Sequence, residues 1–156
     1  MAEGARGLRL EADAHGPLSL LESAGSLGRL TLPRGFALDE AGHVYLLAPG
    51  RPWWIKRFNV QKKAFVKLPA VGGVGTEARQ LRNPANIAAA GSNFYVADTG
   101  NRRVQVFDGR SLILRHVWQF ADWRPVDVTA QGGLAYLLDG QNGRVYAHQP
   151  GIDRLN

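Results

Sequence analysis

The sequence contains no cysteine, which excludes disulfide bonds and thiol chemistry from its 156 residues. It also lacks any apolar run approaching the roughly 18 residues of a membrane-spanning helix, so we expect no membrane partner. The first residues, MAEGARGLRLEADAHG, contain no apolar core of a secretory signal. These absences favour a protein of the cytoplasm, or of a particle that is assembled there.

Histidine is scarce, and its spacing is not that of a metal or catalytic site. A zinc site needs three or four converging ligands, often about two to four residues apart in the chain. The one dense glycine segment, residues 71–76, lacks the lysine of a phosphate-binding loop, and the carboxylates are scattered. We therefore expect no enzyme activity, no cofactor and no bound metal. The histidines are His15, His43, His116 and His148.

What the sequence does contain is a repeated unit of short apolar segments and glycine-rich turns. In the middle copy, Pro84 precedes strands predicted at residues 86–90, 94–97 and 104–107. Tyr45, Tyr95 and Tyr136 hold the same position in three copies, which span approximately residues 30–68, 81–120 and 121–156. Such a unit cannot bury its own face and must stack on its neighbours. A period of about 40 to 50 residues predicts a β-propeller.

Polar residues recur at the turn that joins the second and third strands. An Asp at this position can accept backbone N–H groups, and the Arg can pair with an Asp. Because the same residues recur in two copies, we predict a structural role for them rather than a catalytic one. The matching pairs are Asp98 and Asp139, Asn101 and Asn142, and Arg103 and Arg144.

The middle copy, with NPANIA followed by YVADTGNRRVQVF, resembles an NHL repeat, and the other two copies are weaker matches. This resemblance implies a propeller that serves as a binding scaffold, since NHL proteins include protein-binding and RNA-binding modules and a few enzymes. The order LPRGFALDEAGHVYLL, IKRF, LPAVGGVGTEARQLRNP is also similar to the N-terminal part of phage-tail-like proteins from contractile injection particles. That similarity implies a structural component of such a particle.

The fold class that we predict is all-β, a partial or small β-propeller of three to four NHL-like blades. Residues 1–29 are expected to form an N-terminal segment, with at most part of another blade. An open arc of blades leaves apolar faces at its ends. The arc can dimerise into a six-blade ring, close alone as four blades, or be completed by a partner or a longer chain. Since uncapped repeats seek a neighbour, we predict assembly.

The net charge of +6 arises largely between residues 51 and 82, where Glu77 is the only acid. Two hypotheses follow for this basic, tryptophan-containing stretch. The first is a protein-interaction module that binds itself or a larger assembly. The alternative is an RNA-binding propeller, whose affinity would fall steeply with salt. The predicted contact residues are Trp53, Trp54, Lys56, Arg57, Lys62, Lys63 and Arg102.

Overall fold

The computed structural model describes residues 34–48, 55–59, 64–68, 71–119 and 121–152. The predictions for residues 1–29 and for Trp53, Trp54, Lys62 and Lys63 lie outside these ranges. Among the described residues, no helix is long and apolar enough to cross a membrane.

Three antiparallel sheets follow one another along the chain, and each is built from strands in sequence order. Blade 1 consists of β1 (Gly35–Leu38), β2 (Val44–Leu47), β3 (Ile55–Asn59) and β4 (Ala64–Lys67). A short parallel pair, β5 (Gly73–Val74) and β6 (Gln80–Leu81), precedes the second sheet. Blade 2 consists of β7 (Asn86–Ala90), β8 (Asn93–Asp98), β9 (Arg103–Asp108) and β10 (Leu114–Gln119). Blade 3 consists of β11 (Pro125–Gln131), β12 (Leu134–Asp139) and β13 (Arg144–His148).

The burial of each strand follows from the position of its blade in the stack. Every residue of β8 and β9 is buried, because blade 2 is packed on both faces. In β12, by contrast, the more and less buried residues alternate, because one face of blade 3 packs on blade 2 and the other does not. Valine, tyrosine and phenylalanine in these strands are residue types that suit a pleated, packed surface.

Two apolar cores join the three blades. Between blades 1 and 2, the rings of Tyr45, Phe94 and Phe107 stack in series, with centroid distances of 4.9 Å and 5.0 Å. Between blades 2 and 3, the core contains Tyr95, Trp118 and Trp123, packed with small and β-branched residues. Neighbouring blades thus interlock mainly through side chains, as stacked repeats require.

The first strand of each blade lies next to that of its neighbour, β1 beside β7 and β7 beside β11. Asn86 on β7 links blades 2 and 3 directly, since its amide donates hydrogen bonds to Asp127 Oδ1 at 2.6 Å and to the carbonyl of Val128 at 3.3 Å. The turns that join first to second strands lie at one end of the blades. The turns that join second to third strands lie at the other end.

Candidate functional site in the grooves and on the free face of blade 3

The predicted contact residues that the structure describes do not form one surface. Lys56 and Arg57 are neighbours on β3 and point to opposite faces of blade 1. Lys56 is only 5% exposed, so it does not contribute to a basic surface. Arg57 is half-buried on the face towards blade 2. Arg102 is exposed in the turn between β8 and β9, where its Nη1 donates to the carbonyl of Ala121 at 3.0 Å.

Asp98 organises the turn between β8 and β9. Its Oδ1 accepts the backbone N–H of Arg82 at 2.7 Å, and its Oδ2 accepts Asn101 Nδ2 at 2.9 Å and Arg103 Nε at 2.8 Å. Asp98 and Arg103 are both buried, with exposed fractions of 0% and 6%. The structural role predicted for these residues is confirmed. The remaining N–H groups of Arg103 donate to the carbonyls of Thr76, Glu77 and Gln80.

Asp139 repeats this arrangement in blade 3, but without the arginine. It accepts the backbone N–H groups of Arg124 at 3.0 Å and Gln141 at 2.9 Å, and Asn142 Nδ2 at 2.8 Å. Burial acts to raise the pKa of Asp139, but these hydrogen bonds outweigh it and the pKa is lowered. Arg144 is exposed and forms no salt bridge with any described residue, so the predicted Arg–Asp pairing holds in blade 2 only. The carbonyl partners of Arg103 come from the segment before β7. The corresponding segment before β11 is much shorter.

Each blade carries one tyrosine at the same register position, and in blades 1 and 2 this tyrosine points towards the following blade. Tyr45 donates its hydroxyl to the carbonyl of Gly109 in blade 2 at 3.2 Å. The Tyr95 hydroxyl lies 2.8 Å from Nδ1 of His148 in blade 3. Both tyrosines are fully buried, and burial raises the pKa of Tyr95. Tyr136 occupies the same register position in blade 3 but is only half-buried. The face of blade 3 that carries Tyr136 therefore corresponds to an interblade face.

This free face of blade 3 is apolar on β12 and β13 and belongs to a sheet of three strands in the described part of the chain. Leu138 and Val145 are cross-strand neighbours on it, with exposed fractions of 38% and 66%. On the opposite face of the same strands, Ala135 and Leu137 are completely buried against blade 2. The apolar part of the free face consists of Leu134, Tyr136, Leu138, Val145 and Ala147, and β11 adds the exposed polar residues Thr129 and Gln131.

A groove of about 600 Å³ lies between blades 1 and 2, at the end of the blades where first and second strands join; we call it the 1/2 groove. Asp39 organises its blade 1 wall. Its Oδ1 accepts the backbone N–H of His43 at 2.8 Å. Its Oδ2 lies 2.9 Å from His43 Nδ1 and accepts the Tyr45 hydroxyl at 3.1 Å. Because Asp39 is the acceptor, His43 Nδ1 carries the proton. Burial, followed by the charge of Asp39, raises the pKa of Tyr45 to about 12.

The blade 2 wall of the 1/2 groove contains a second organised carboxylate. Asp108 accepts the backbone N–H of Ser111 at 2.7 Å, its hydroxyl at 2.9 Å, the N–H of Arg110 at 3.0 Å and Arg115 Nη2 at 2.5 Å. The N–H of Ser111 and then the Arg115 guanidinium hold the pKa of Asp108 well below its usual range. Beside it, a side chain on Gly109 would lie 3.1 Å from the Tyr45 hydroxyl. Glycine thus keeps this part of the groove open.

The corresponding groove between blades 2 and 3 is smaller, about 330 Å³, and aromatic rings pack beside it. His148 packs edge-on against Trp118 at a centroid distance of 4.6 Å, and His116 stacks on Trp118 at 5.8 Å. His148 Nε2 donates to the carbonyl of Ile152 at 2.6 Å, which leaves Nδ1 to accept from Tyr95. His148 is 1% exposed and serves the interblade core.

Sequence reasoning named Arg57 as a contact residue but missed its cluster with Asp39, His43 and Arg110, because the scattered histidines and carboxylates showed no site spacing. A usable signal lay in the repeats. The register position of Arg57 is held by Val106 in blade 2 and by Ala147 in blade 3. A charged residue at a position that is apolar in the other copies marks a departure from the scaffold.

No protein-family model matches the chain, and no curated protein does. Several solved structures are similar. A nidogen/laminin complex matches at 16% identity and a TM-score of 0.60, covering 81% of this chain and 48% of that chain. The U3-55K structure matches at 10% and 0.56, covering 78% and 35%. Hydrazine synthase of Kuenenia stuttgartiensis matches at 14% and 0.53, covering 83% and 36%.

The chain therefore spans half or less of the length of each of these matched chains. At such low identity the likeness shows the fold alone. The predicted fold class is confirmed: the chain is all-β and has a β-propeller fold, with three blades in the described residues.

Proposed function

We propose that this chain is a non-catalytic β-propeller assembly module, and that the free face of blade 3 packs on blade 1 of a second copy. The observation that carries the proposal is the tyrosine register. Tyr45 and Tyr95 each bond to the next blade, and Tyr136 stands at the same position on an apolar face that meets no described blade. Burying Leu138 or Val145 would contribute about 1.5–3 kcal/mol each relative to full exposure.

Blade 1 supports a second copy as the partner. Phe36 on β1 holds the register position of Ile87 on β7 and Val128 on β11. Ile87 and Val128 pack against the preceding blade and are 2% and 1% exposed, whereas Phe36 is 73% exposed. The blade 1 end thus exposes a residue of the kind that packs against a preceding blade. The blade 3 end exposes a tyrosine of the kind that bonds to a following blade. Two copies packed head to tail through both ends would close a ring of six blades.

A finer role rests on the sequence resemblance alone. The segments LPRGFALDEAGHVYLL and LPAVGGVGTEARQLRNP support a structural component of a phage-tail-like contractile particle, made in the cytoplasm. RNA binding through a basic face stays the alternative. It has less support, because Lys56 is buried and Arg57 and Arg102 lie at different places in the fold.

Light scattering coupled to size exclusion, at low and high salt, tests the proposal. We expect a mass near twice 17.0 kDa that does not depend on salt, because apolar faces hold the copies together. Val145→Glu should give a folded monomer, since a buried unpaired carboxylate is strongly unfavourable. The matched control is Ile113→Glu, an exposed apolar residue in a turn of blade 2, which should keep the dimer. A monomeric wild type, or a Val145→Glu dimer of unchanged stability, would contradict the proposal.

A further inference from the structure

We propose that the 1/2 groove binds a small oxyanion, a carboxylate or phosphate group, between the guanidinium groups of Arg57 and Arg110 and beside the imidazole of His43. This site is independent of ring assembly, because it lies wholly between two blades of one chain.

The internal repeats show that the charges of this groove are not part of the scaffold. Arg57 pairs with Tyr45 on the neighbouring strand, as Val106 pairs with Tyr95 and Ala147 with Tyr136. Val106 is completely buried in the core, so an apolar residue suffices at this position to join two blades. Arg57 shares a hydrogen bond with the Tyr45 hydroxyl but has no ion pair in the described residues, so a bound counter-ion would offset part of its desolvation cost.

The carboxylates deepest in the groove are already occupied. Asp39 accepts two hydrogen bonds from His43 and one from Tyr45, and Asp108 is held by Ser111 and Arg115. The oxygens of both acids are therefore largely occupied by donors of the protein, which leaves the lining few free ligand atoms for a cation.

The arginines of the groove, in contrast, have charge to offer. Arg57 and Arg110 form no salt bridge with any residue in the described ranges. Glu40 is the only lining carboxylate without a hydrogen bond in that part of the chain, and it is exposed. The lining thus holds two guanidinium groups without an ionic partner among the described residues and three carboxylates, two of which already accept hydrogen bonds within the protein. Guanidinium groups bind carboxylates and phosphates with paired N–H donors, so an oxyanion is the ligand that fits.

His43 and Gly109 shape the remaining walls. The 43% exposed side chain of His43 lines one wall and is held in place by its hydrogen bond to Asp39. The absence of a side chain at Gly109 leaves space beside the Tyr45 hydroxyl and Ser92. A groove of about 600 Å³ falls within the usual range of small-ligand sites.

Calorimetric titration of the full chain with inorganic phosphate and, separately, with succinate tests the proposal. We expect saturable binding of at least one probe, and the tighter one identifies the ligand as a phosphate or a carboxylate. Arg57→Gln and Arg110→Gln should each weaken binding about tenfold or more, since a hydrogen bond to a charged group is lost. Glu40→Gln should strengthen binding, because it removes one negative charge from the lining.

The matched control is Arg124→Gln, which removes the same charge from an exposed side chain outside the groove and should leave the affinity unchanged. Arg110 is exposed in a turn, so Arg110→Gln keeps the test valid even if Arg57→Gln disturbs the fold. Equal weakening by Arg110→Gln and Arg124→Gln would show attraction to net charge alone and overturn the site. Failure of the wild type to bind either probe would overturn it as well.

Discussion

The groove between blades 1 and 2 and the groove between blades 2 and 3 each contain a tyrosine at the same register position. The side chains around that tyrosine differ between the two grooves. Tyr45 lies against Asp39, with His43 and Arg57 around it, and the space beside it stays open. Tyr95 lies against His148, where aromatic rings pack beside a smaller groove of about 330 Å³. The shared tyrosine joins the blades, and the residues around it differ between the two grooves. Within one chain, the second groove is thus a control for the first.

The same contrast separates scaffold from candidate site along the whole repeat. Asp98 and Asp139 recur, and each accepts a backbone N–H from the segment that precedes the first strand of its own blade. Asp39 holds the register position of Ala90 and Gln131, and it has no counterpart of its kind. Residues that recur explain the fold, and residues that break the repeat need a separate explanation. The proposed oxyanion site supplies such an explanation for the 1/2 groove.

The largest expected effect is a loss of stability when the buried Asp98–Arg103 pair of blade 2 is broken. Asp98→Ala would leave the buried guanidinium of Arg103 without its carboxylate, and we expect a loss of about 3–5 kcal/mol of unfolding free energy. Asp139→Ala removes a similar turn acceptor but strands no buried charge, so its loss should be smaller. Urea denaturation followed by circular dichroism compares the two variants. Equal losses would mean that the Asp98–Arg103 pair adds nothing beyond the shared turn.

How far the sequence predicted the fold depends on this recurrence. The period, the tyrosines and the turn aspartates indicated stacked blades, because the aspartates make similar contacts within their own blades and Tyr45 and Tyr95 join neighbouring ones. The carbonyl groups that accept from Arg103 could not be predicted, since they belong to residues 76–80, which lie outside the repeats. The same limit explains the wrong expectation that Arg144 pairs as Arg103 does.

The candidate site was less predictable, for a related physical reason. Asp39 and Arg110 are far apart in the sequence and meet only because blades 1 and 2 stack. A basic stretch in the sequence does not say which face each side chain takes. Lys56 and Arg57 demonstrate this, since adjacent strand residues point to opposite faces and only Arg57 reaches the groove.

A smaller effect sharpens the comparison through alkaline pH. Burial and Asp39 raise the pKa of Tyr45 from 10.0 to about 12. Between these values the unfolded chain releases the proton and the folded chain keeps it, so stability is full below about pH 10 and falls as pH rises towards 12. We expect a loss of about 1–2 kcal/mol by the upper end of this window. Denaturation at a series of pH values should show a flatter decline in Tyr45→Phe. An identical decline in that variant would place the alkaline loss elsewhere.

The smallest expected effect comes from removing one hydroxyl at each of the three equivalent positions. Tyr95→Phe removes the donor that His148 Nδ1 accepts, and Tyr45→Phe removes the bonds to Asp39 and Gly109, so each should cost about 1 kcal/mol. Tyr136→Phe should leave the stability of the Val145→Glu monomer unchanged, because its face meets no described blade. In the wild-type dimer the same change should weaken association. Tyr136 would then behave as a third interblade tyrosine only when a second copy supplies the next blade, whereas a loss already present in the monomer would show that its hydroxyl bonds within its own chain.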